Sequence, residues 1–330
     1  MTDVLKLANL VYLRPPTDQD RDDYFNPKKP KRSLTTTSDS SSKRPRQTAV
    51  DEDQWSPVVV TLTERVDKSL LEKMVQAREA DPATQKHSQT TVLRNYLGAL
   101  DEQGALSVAY RYKKHGAGRL YPEHHRSLGV MKQEFRGQLC RDSMIDIDIG
   151  NAHPEIMGQE CERRGWDCPL LQSYRKNREE TLRKIDPDDR KRAKVAVLRA
   201  MYGDGLADFQ DNDFVMSLKR ELKTLQRRLW DAYPDFRKIV EDENRSNKYA
   251  SVMSFFLMHN ENRMLLQATK FLQQRDWEVA ALVYDGLMVY KRDGEDVAAL
   301  FDELSASVER ECGFRVRFEV KPFSGQMQVD

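Results

Sequence analysis

The sequence is poor in cysteine and has almost no excess of charge of either sign. Its 330 residues include four cysteines, none of them in a CxxC pair. This excludes a disulfide scaffold and a zinc knuckle, and it favours a reducing compartment. Because 54 Lys and Arg residues nearly balance 53 Asp and Glu residues, any nucleic-acid site must be a local basic patch.

Long apolar runs are missing as well. No stretch approaches the roughly 18 apolar residues that a membrane-spanning helix needs, and the first residues do not pair a basic segment with an apolar one, as a signal peptide does. We therefore expect a soluble intracellular protein with no membrane partner. Hydrophobic residues make up 39% of the chain, which suffices for a core.

Residues 14 to about 54 differ in composition from the rest of the chain. They are rich in Pro, Ser, Thr and charge, so we expect residues 1–54 to be a mostly disordered tail. The tail contains two basic clusters, 28–32 and 43–46. They are either solvated charge or a bipartite nuclear import signal. The second reading predicts an import receptor as a partner and the nucleus as the location; without it, the cytoplasm is expected.

From Trp55 onward, the hydrophobic pattern predicts ordered α+β structure. Strands are expected at 55–66, 105–112, 143–150, 279–291 and 315–321, and helices at 69–78, 90–100, 154–164, 188–202, 214–232, 251–275 and 295–311. This order predicts an antiparallel sheet backed by helices, with a helical insertion between its strands.

Residues 146–156, DIDIGNAHPEI, lead from a strand into a helix. Asp146 and Asp148 are two residues apart in the strand, so their side chains are expected on one face. Carboxylates at such a strand end suit a hard cation such as Mg²⁺. An exposed polar face of an edge strand is the alternative.

The helix expected at 188–202 has a stripe of residues at steps of four. Arg190, Lys194, Leu198 and Tyr202 share one helical face, and Gly203 follows. Such a stripe could meet a triphosphate at one end and a base at the other. Taken alone, charges at this spacing more often indicate a solvated helix face.

Residues 281–290, ALVYDGLMVY, form an apolar strand interrupted by Asp-Gly, which is a strong hairpin signal. Asp285 is therefore either a simple turn residue or a functional carboxylate at the tip of a hairpin. In the second case it should face the carboxylates of the first motif.

In this order, the three motifs resemble the palm and fingers of right-hand polymerases. The resemblance is strongest to the superfamily that joins family A DNA polymerases to phage-type single-subunit RNA polymerases. Asp148 is similar to the motif A aspartate, residues 190–203 match the fingers pattern R-x3-K-x7-Y-G, and residues 283–285 (VYD) are similar to motif C. The sequence departs from family A at Gly286, where an acidic residue is usual.

The resemblance covers about residues 118–320 and implies a division of the chain. Residues 55–140 would form an N-terminal α/β region, either a reduced thumb or a template- and primer-side element. Residues 141–330 would form a palm-like sheet with a fingers-like helical insertion at about 165–235.

The resemblance also implies a function, template-directed DNA synthesis from nucleoside triphosphates with two Mg²⁺ ions, or Mn²⁺ in their place. Asp148 and Asp285 would bind the ions, with Asp146 as a further ligand. Lys194 and Arg190 would act on the phosphates, with Lys194 as the acid towards pyrophosphate. The remaining assignments are nucleotide binding by Ile149, His153, Tyr202 and Gly203, and template or primer binding by Arg119, Tyr121, Arg136 and Glu261.

His153 follows Asp148 by five residues, where both polymerase families place a side chain beneath the sugar. An imidazole there would either crowd a 2′-hydroxyl or hydrogen-bond it, and a plain helix cap is the third interpretation. We expect a preference for dNTPs. The alternatives to a DNA polymerase are a primase-like or single-subunit RNA polymerase, a catalytically inactive nucleic-acid-binding protein, and an α+β interaction module.

Overall fold

The computed structural model describes residues 56–112, 116 and 118–323. The expected tail and its basic clusters lie outside these residues, so they stay predictions. No helix in the described residues is long and apolar enough to cross a membrane.

The described residues form a mixed α+β fold with antiparallel sheets, as the sequence predicted. The strands are β1 (Val60–Arg65), β2 (Ala105–Tyr112), β3 (Leu120–Pro122), β4 (Met144–Ile149), β5 (Val279–Val283), β6 (Gly286–Tyr290) and β7 (Phe318–Lys321). The helices are α1 (Lys68–Ala80), α2 (Ser88–Leu97), α3 (Gln133–Cys140), α4 (Ala152–Arg164), α5 (Pro169–Lys176), α6 (Arg178–Ile185), α7 (Arg190–Tyr202), α8 (Asp213–Ala232), α9 (Pro234–Asp242), α10 (Lys248–Gln273) and α11 (Phe301–Cys312).

The strands form two sheets, where one was expected. One sheet has the order β1-β2-β3 and the other the order β5-β6-β4-β7, and all neighbours are antiparallel. A hydrogen bond joins the two sheets, from the backbone N–H of Leu282 to the hydroxyl of Tyr110 (3.2 Å). The larger sheet contains both of the strands that carry the predicted carboxylates.

Helix α10 is the central support of the larger sheet. It contacts β5, β6, α4, α7 and α11, and most of its residues are buried on all sides. A helix with buried residues on all its faces lies in the interior of a protein, and α10 is such a helix. As a result, any polar side chain in the middle of α10 must find its partners inside the protein.

A tight turn places α4 directly at the end of β4. Asn151 has a left-handed backbone (φ 57°), which asparagine tolerates better than most residues. The chain reverses within Gly150 and Asn151, and α4 begins at Ala152. His153 therefore lies in the first turn of α4, close to the end of the strand that carries Asp148.

The hairpin predicted from Asp-Gly is present, but its turn lies one residue earlier than expected. Tyr284 and Asp285 form the turn, and Gly286 is the first residue of β6. A Cβ atom on Gly286 would lie 2.4 Å from the carbonyl oxygen of Ile147 and 2.9 Å from Oδ1 of Asp148. Close packing of β4 against β6 therefore excludes the acidic side chain that is usual at this position.

Candidate active site

The three predicted carboxylates meet at one end of the larger sheet. Strand β4 pairs with β6 so that Asp148 lies opposite Gly286. The backbone N–H of Ile149 donates to the carbonyl of Asp285 at 3.0 Å. Asp146 and Asp148 lie on the same face of β4, and Asp285 acts electrostatically on both. Three acidic side chains from two separate motifs thus share one small region.

The buried carboxyl groups of Asp148 and Asp146 are costly to ionise. Burial raises the pKa of Asp148, Asp285 raises it further by repulsion, and Lys321 opposes the rise. Burial likewise raises the pKa of Asp146, with Arg136 opposing. Buried neighbouring carboxylates repel each other, and a bound divalent cation relieves that repulsion.

The carboxylate oxygens of this cluster are the kind of ligand that a hard cation prefers, but the described residues do not form a complete coordination shell. Oδ2 of Asp146 is buried and has no hydrogen-bond partner in the described residues. The ammonium group of Lys321 donates to Oδ2 of Asp148 at 2.8 Å, where it supplies positive charge to the cluster. In the same part of the chain, no group of three or more His, Cys, Asp or Glu side chains is arranged to hold a metal ion.

Lys321 and Glu319 belong to this region, and the sequence analysis missed both. Strand β7 pairs with β4 so that Asp146 lies opposite Lys321 and Asp148 opposite Glu319. Residues directly opposite each other project from the same face of a sheet. The alternation in FEVK could have suggested that Glu319 and Lys321 share a face, but not that β7 lies beside β4.

Helix α7 brings Lys194 to the carboxylates and leaves Arg190 at the surface. Its start is fixed by Asp189, whose side chain accepts the N–H of Arg192. The side chain of Lys194 has no ion pair or hydrogen bond with the other described residues. Burial lowers the pKa of its ammonium group, while Asp285 and Asp148 oppose that shift. Arg190 makes a two-point pair with Glu179, at 2.6 and 2.7 Å.

Tyr202 and Gly203 close the same helix. Gly203 ends α7 with a left-handed backbone (φ 74°), and a Cβ there would lie 2.6 Å from Nδ2 of Asn247. This accounts for the Tyr-Gly pair structurally. The hydroxyl of Tyr202 bonds with Nδ1 of His153, and the two rings meet edge to face with centroids 5.7 Å apart.

His153 is not a helix cap. Helix α4 has Asn151 at its N-cap position, with no side-chain cap bond, so the capping interpretation is wrong. The imidazole is buried, and its Nε2 atom lies 2.7 Å from Oε2 of Glu261, off the line of an ideal hydrogen bond. Glu261 also accepts a hydrogen bond from Arg119.

Two of the residues predicted to touch nucleic acid are buried instead. The side chain of Glu261 is 1% exposed, and that of Arg136 is 4% exposed, lies 3.9 Å from Asp146 and donates to the carbonyl of Met131. We therefore revise the prediction that these two residues contact a template or primer. Arg119 and Tyr121 are half-buried, and Arg119 lies over the ring of Tyr284 at 5.4 Å.

A cavity of about 550 Å³ lies elsewhere, between α4, α9, α10 and the end of α11. Its lining includes Arg163, Arg164, Arg263, Tyr233 and Phe314. None of the carboxylates described above lines it, so the cavity is not the site of the clustered acidic residues.

Comparisons with known proteins give similarities at low sequence identity and no family. No family model matches the chain. The chain is 25% identical over 296 residues to V13 of Sputnik virophage, a protein that is provisionally named as a helicase. That match includes 82% of this chain and 38% of V13, so the chain spans less than half the length of this relative.

Among solved structures, the POL domain of Pol1 from M. smegmatis, in complex with a DNA primer-template and dNTP, is similar with a TM-score of 0.40 and 14% identity. The similarity covers 77% of this chain and 55% of that one. The likeness is too weak to assign a function.

The helicase name of V13 can be checked against one sequence motif. The 330 residues contain no Gly-Lys dipeptide, so they carry no P-loop of the pattern GxxxxGK[ST].

Proposed function

We propose that the chain catalyses template-directed nucleotidyl transfer as a DNA polymerase with a two-metal mechanism. The observation that carries the proposal is the convergence of three motifs that are far apart in sequence. Asp148 on β4, Asp285 at the β5–β6 turn and Lys194 on α7 act on one another electrostatically. Carboxylates beside a cation on a neighbouring helix are the groups that phosphoryl transfer requires.

Asp148 and Asp285 would hold the metal ions, and Asp146 is the carboxylate nearest in sequence that could assist them. Bound Mg²⁺, or Mn²⁺ in its place, supplies activation of the attacking 3′-hydroxyl and neutralises charge on the transferred phosphate. The raised pKa of Asp148, caused by burial and by Asp285, fits a carboxylate that is meant to share a cation. The carbonyl of Ile149 is a further candidate ligand.

Lys194 would act on the leaving pyrophosphate. Burial lowers the pKa of its ammonium group, so it gives up a proton more readily than an exposed lysine does. Its positive charge also stabilises the charge that develops on the phosphates. Arg190 would have to leave Glu179 to make the same contact, so we assign it a secondary part.

His153 and Tyr202 would form the floor of the nucleotide site beneath the sugar. One ring nitrogen of His153 bonds with Tyr202 and the other contacts Glu261. Because Tyr202 bonds to Nδ1 and Glu261 lies against Nε2, the ring offers mainly bulk to a 2′-hydroxyl. This supports the crowding interpretation and dNTPs as substrates.

A catalytically inactive nucleic-acid-binding protein is the second candidate. Lys321 pairs with Asp148 at 2.8 Å, and the usual acidic residue after Asp285 is replaced by Gly286. Both features would suit a chain that no longer binds metal ions. Against this candidate, burying carboxylates that repel each other costs stability, and without bound metal ions nothing offsets that cost.

Primer extension separates the candidates. The full chain is incubated with a primed template, Mg²⁺ and either dNTPs or NTPs, and binding to the primed template is measured in parallel. We expect extension with dNTPs. Extension with NTPs alone would indicate an RNA polymerase, and binding without any extension would indicate the inactive protein.

A further inference from the structure

A buried chain of polar contacts runs through four segments beneath the proposed nucleotide site. Arg119 donates to Oε1 of Glu261, Oε2 of Glu261 lies 2.7 Å from Nε2 of His153, and Nδ1 of His153 bonds with the hydroxyl of Tyr202. The members come from the segment before β3, from α10, from α4 and from the end of α7. Glu261 lies at the centre of this chain.

Glu261 is ionised in the folded protein. Burial alone would raise the pKa of its carboxyl, but the guanidinium of Arg119, which donates to Oε1, holds it below its usual value. An ionised carboxylate only accepts hydrogen bonds. A lone pair on Nε2 of His153 facing it at 2.7 Å would be repelled, so the proton of a neutral ring must be on Nε2.

The position of this proton determines what the rest of the chain can do. With hydrogen on Nε2, Nδ1 of a neutral ring is an acceptor. The hydroxyl of Tyr202 must then donate to Nδ1. Its proton points into the protein, so neither His153 nor Tyr202 has a donor left for a sugar hydroxyl.

We propose that Glu261 is a positioning residue for sugar selection. It fixes the tautomer of His153, so that the floor of the nucleotide site presents bulk and no hydrogen-bond donor to a 2′-hydroxyl. The inference rests on the proposed function, because it concerns the sugar of the incoming nucleotide. Glu261 acts through His153 and does not touch the nucleotide.

The ring tautomer can be measured without any turnover. In the full chain labelled with ¹⁵N-histidine, the signals of His153 are assigned among the six histidines by their loss in His153→Asn. We expect a protonated Nε2 and an unprotonated Nδ1 in the wild type at neutral pH. A proton on Nδ1, in either a neutral or a doubly protonated ring, would overturn the proposal, even if no Glu261 variant folds.

The selection itself is tested by Glu261→Gln, with Glu160→Gln as the matched control. Glu160 is also buried and paired with two arginines, Arg163 and Arg164, but lies two turns away from His153 on α4. An amide at 261 can turn and donate to Nε2, which releases the tautomer. We expect the ratio of kcat/KM for dNTP over NTP to fall about tenfold, the worth of roughly one hydrogen bond, and to stay within about twofold in the control.

The outcomes separate this inference from the proposed function. An unchanged ratio in an active, folded Glu261→Gln variant, or an equal fall in both variants, would overturn the positioning role. If the wild type extends no primer with either nucleotide, the proposed function fails and with it the sugar-selection part of this proposal. The ¹⁵N spectrum then still decides whether Glu261 fixes the ring of His153.

Discussion

In the proposed mechanism, Lys321 would compete with divalent cations for Asp148, because its ammonium group already bonds to Oδ2 of that carboxylate at 2.8 Å. Replacing it by Met keeps the length of the side chain and removes the charge. We expect Lys321→Met to bind Mn²⁺ about 2- to 5-fold more tightly, since a partly exposed ion pair is worth up to about 1 kcal/mol. Titration followed by electron paramagnetic resonance measures this.

The control is Lys291→Met, which removes a lysine that bonds to the carbonyl of Arg141 and not to a carboxylate. Its Mn²⁺ affinity should equal that of the wild type. Weaker binding by Lys321→Met would mean that Lys321 helps to organise the cluster and does not compete with the ion.

The proposed mechanism gives Lys194 a different part, in which its partners would be the phosphates of the substrate. We expect Lys194→Ala to raise KM for the nucleotide and to lower kcat about 100-fold, as for the loss of one group that stabilises transition-state charge. Lys194→Arg should recover only part of the rate, because a guanidinium is a poor proton donor. The neighbouring exposed Lys191 gives the control, Lys191→Ala, and steady-state kinetics of single-nucleotide incorporation is the measurement. Equal kinetics for the two alanine variants would indicate that Lys194 is only part of a solvated helix face.

The β5–β6 hairpin leaves no room for an acidic side chain at position 286. Gly286 packs against the carbonyl of Ile147 so closely that a Cβ would approach it to 2.4 Å. We expect Gly286→Asp to lower the free energy of unfolding by about 2 kcal/mol or more and to lower nucleotide incorporation. Gly205→Asp is the control, since a Cβ there meets nothing within 4 Å. Urea denaturation of both variants would detect the difference; a folded, more active Gly286→Asp would contradict this reading of the hairpin.

Hydrophobic periodicity was sufficient to predict most helices and strands, because their buried faces repeat at the expected spacing. Helix α8, for example, buries Val215, Leu218, Leu222, Leu225 and Leu229. Helices α5 and α6 were not resolved within the predicted insertion, since both are short and α6 is rich in charge. The separate β1-β2-β3 sheet could not be foreseen, because pairing between distant strands leaves no signal in either strand.

The candidate site was predictable to a similar extent. The motifs identified Asp148, Asp285 and Lys194, whose roles stay proposals, and the fold brings these three together. Burial could not be predicted for Arg136 and Glu261, because it depends on partners from other elements. The predicted side chains therefore divide into a cluster at the sheet end and a set of buried supports.

Glu64 should contribute to the pH dependence of the free energy of unfolding. It lies on β1 and bonds to the segment before α3. Its carboxyl bonds with the hydroxyl of Ser127 at 2.6 Å and the N–H of Leu128 at 2.9 Å, and burial raises its pKa to about 7 against these bonds. The folded protein thus holds a proton that the unfolded chain releases near pH 4.5. This contribution to stability is complete below about pH 4.5 and is lost as the pH rises to 7, by about 3 kcal/mol.

Glu64→Gln should remove the share of the pH slope that comes from Glu64, because an amide does not titrate and can keep the same acceptor oxygen; the share from Asp148, whose pKa is also raised, should remain. Unfolding free energies measured in urea between pH 4.5 and 7 would check this, with Glu79→Gln, an exposed residue paired with Arg94, as the control. A slope that is the same in wild type and Glu64→Gln would show that Glu64 is ionised throughout.

The central claim is that carboxylates from strand β4 and from the β5–β6 turn jointly support nucleotide incorporation. Its most direct measurement is the single-turnover rate of primer extension with dNTP and Mg²⁺ by Asp285→Asn. The control is Asp293→Asn, an exposed residue in the turn that follows β6. We predict a loss of at least about 1,000-fold for Asp285→Asn, because an essential metal ligand becomes neutral, with template binding retained and the control unaffected. Extension by Asp285→Asn at a rate close to that of the wild type would contradict the proposed mechanism.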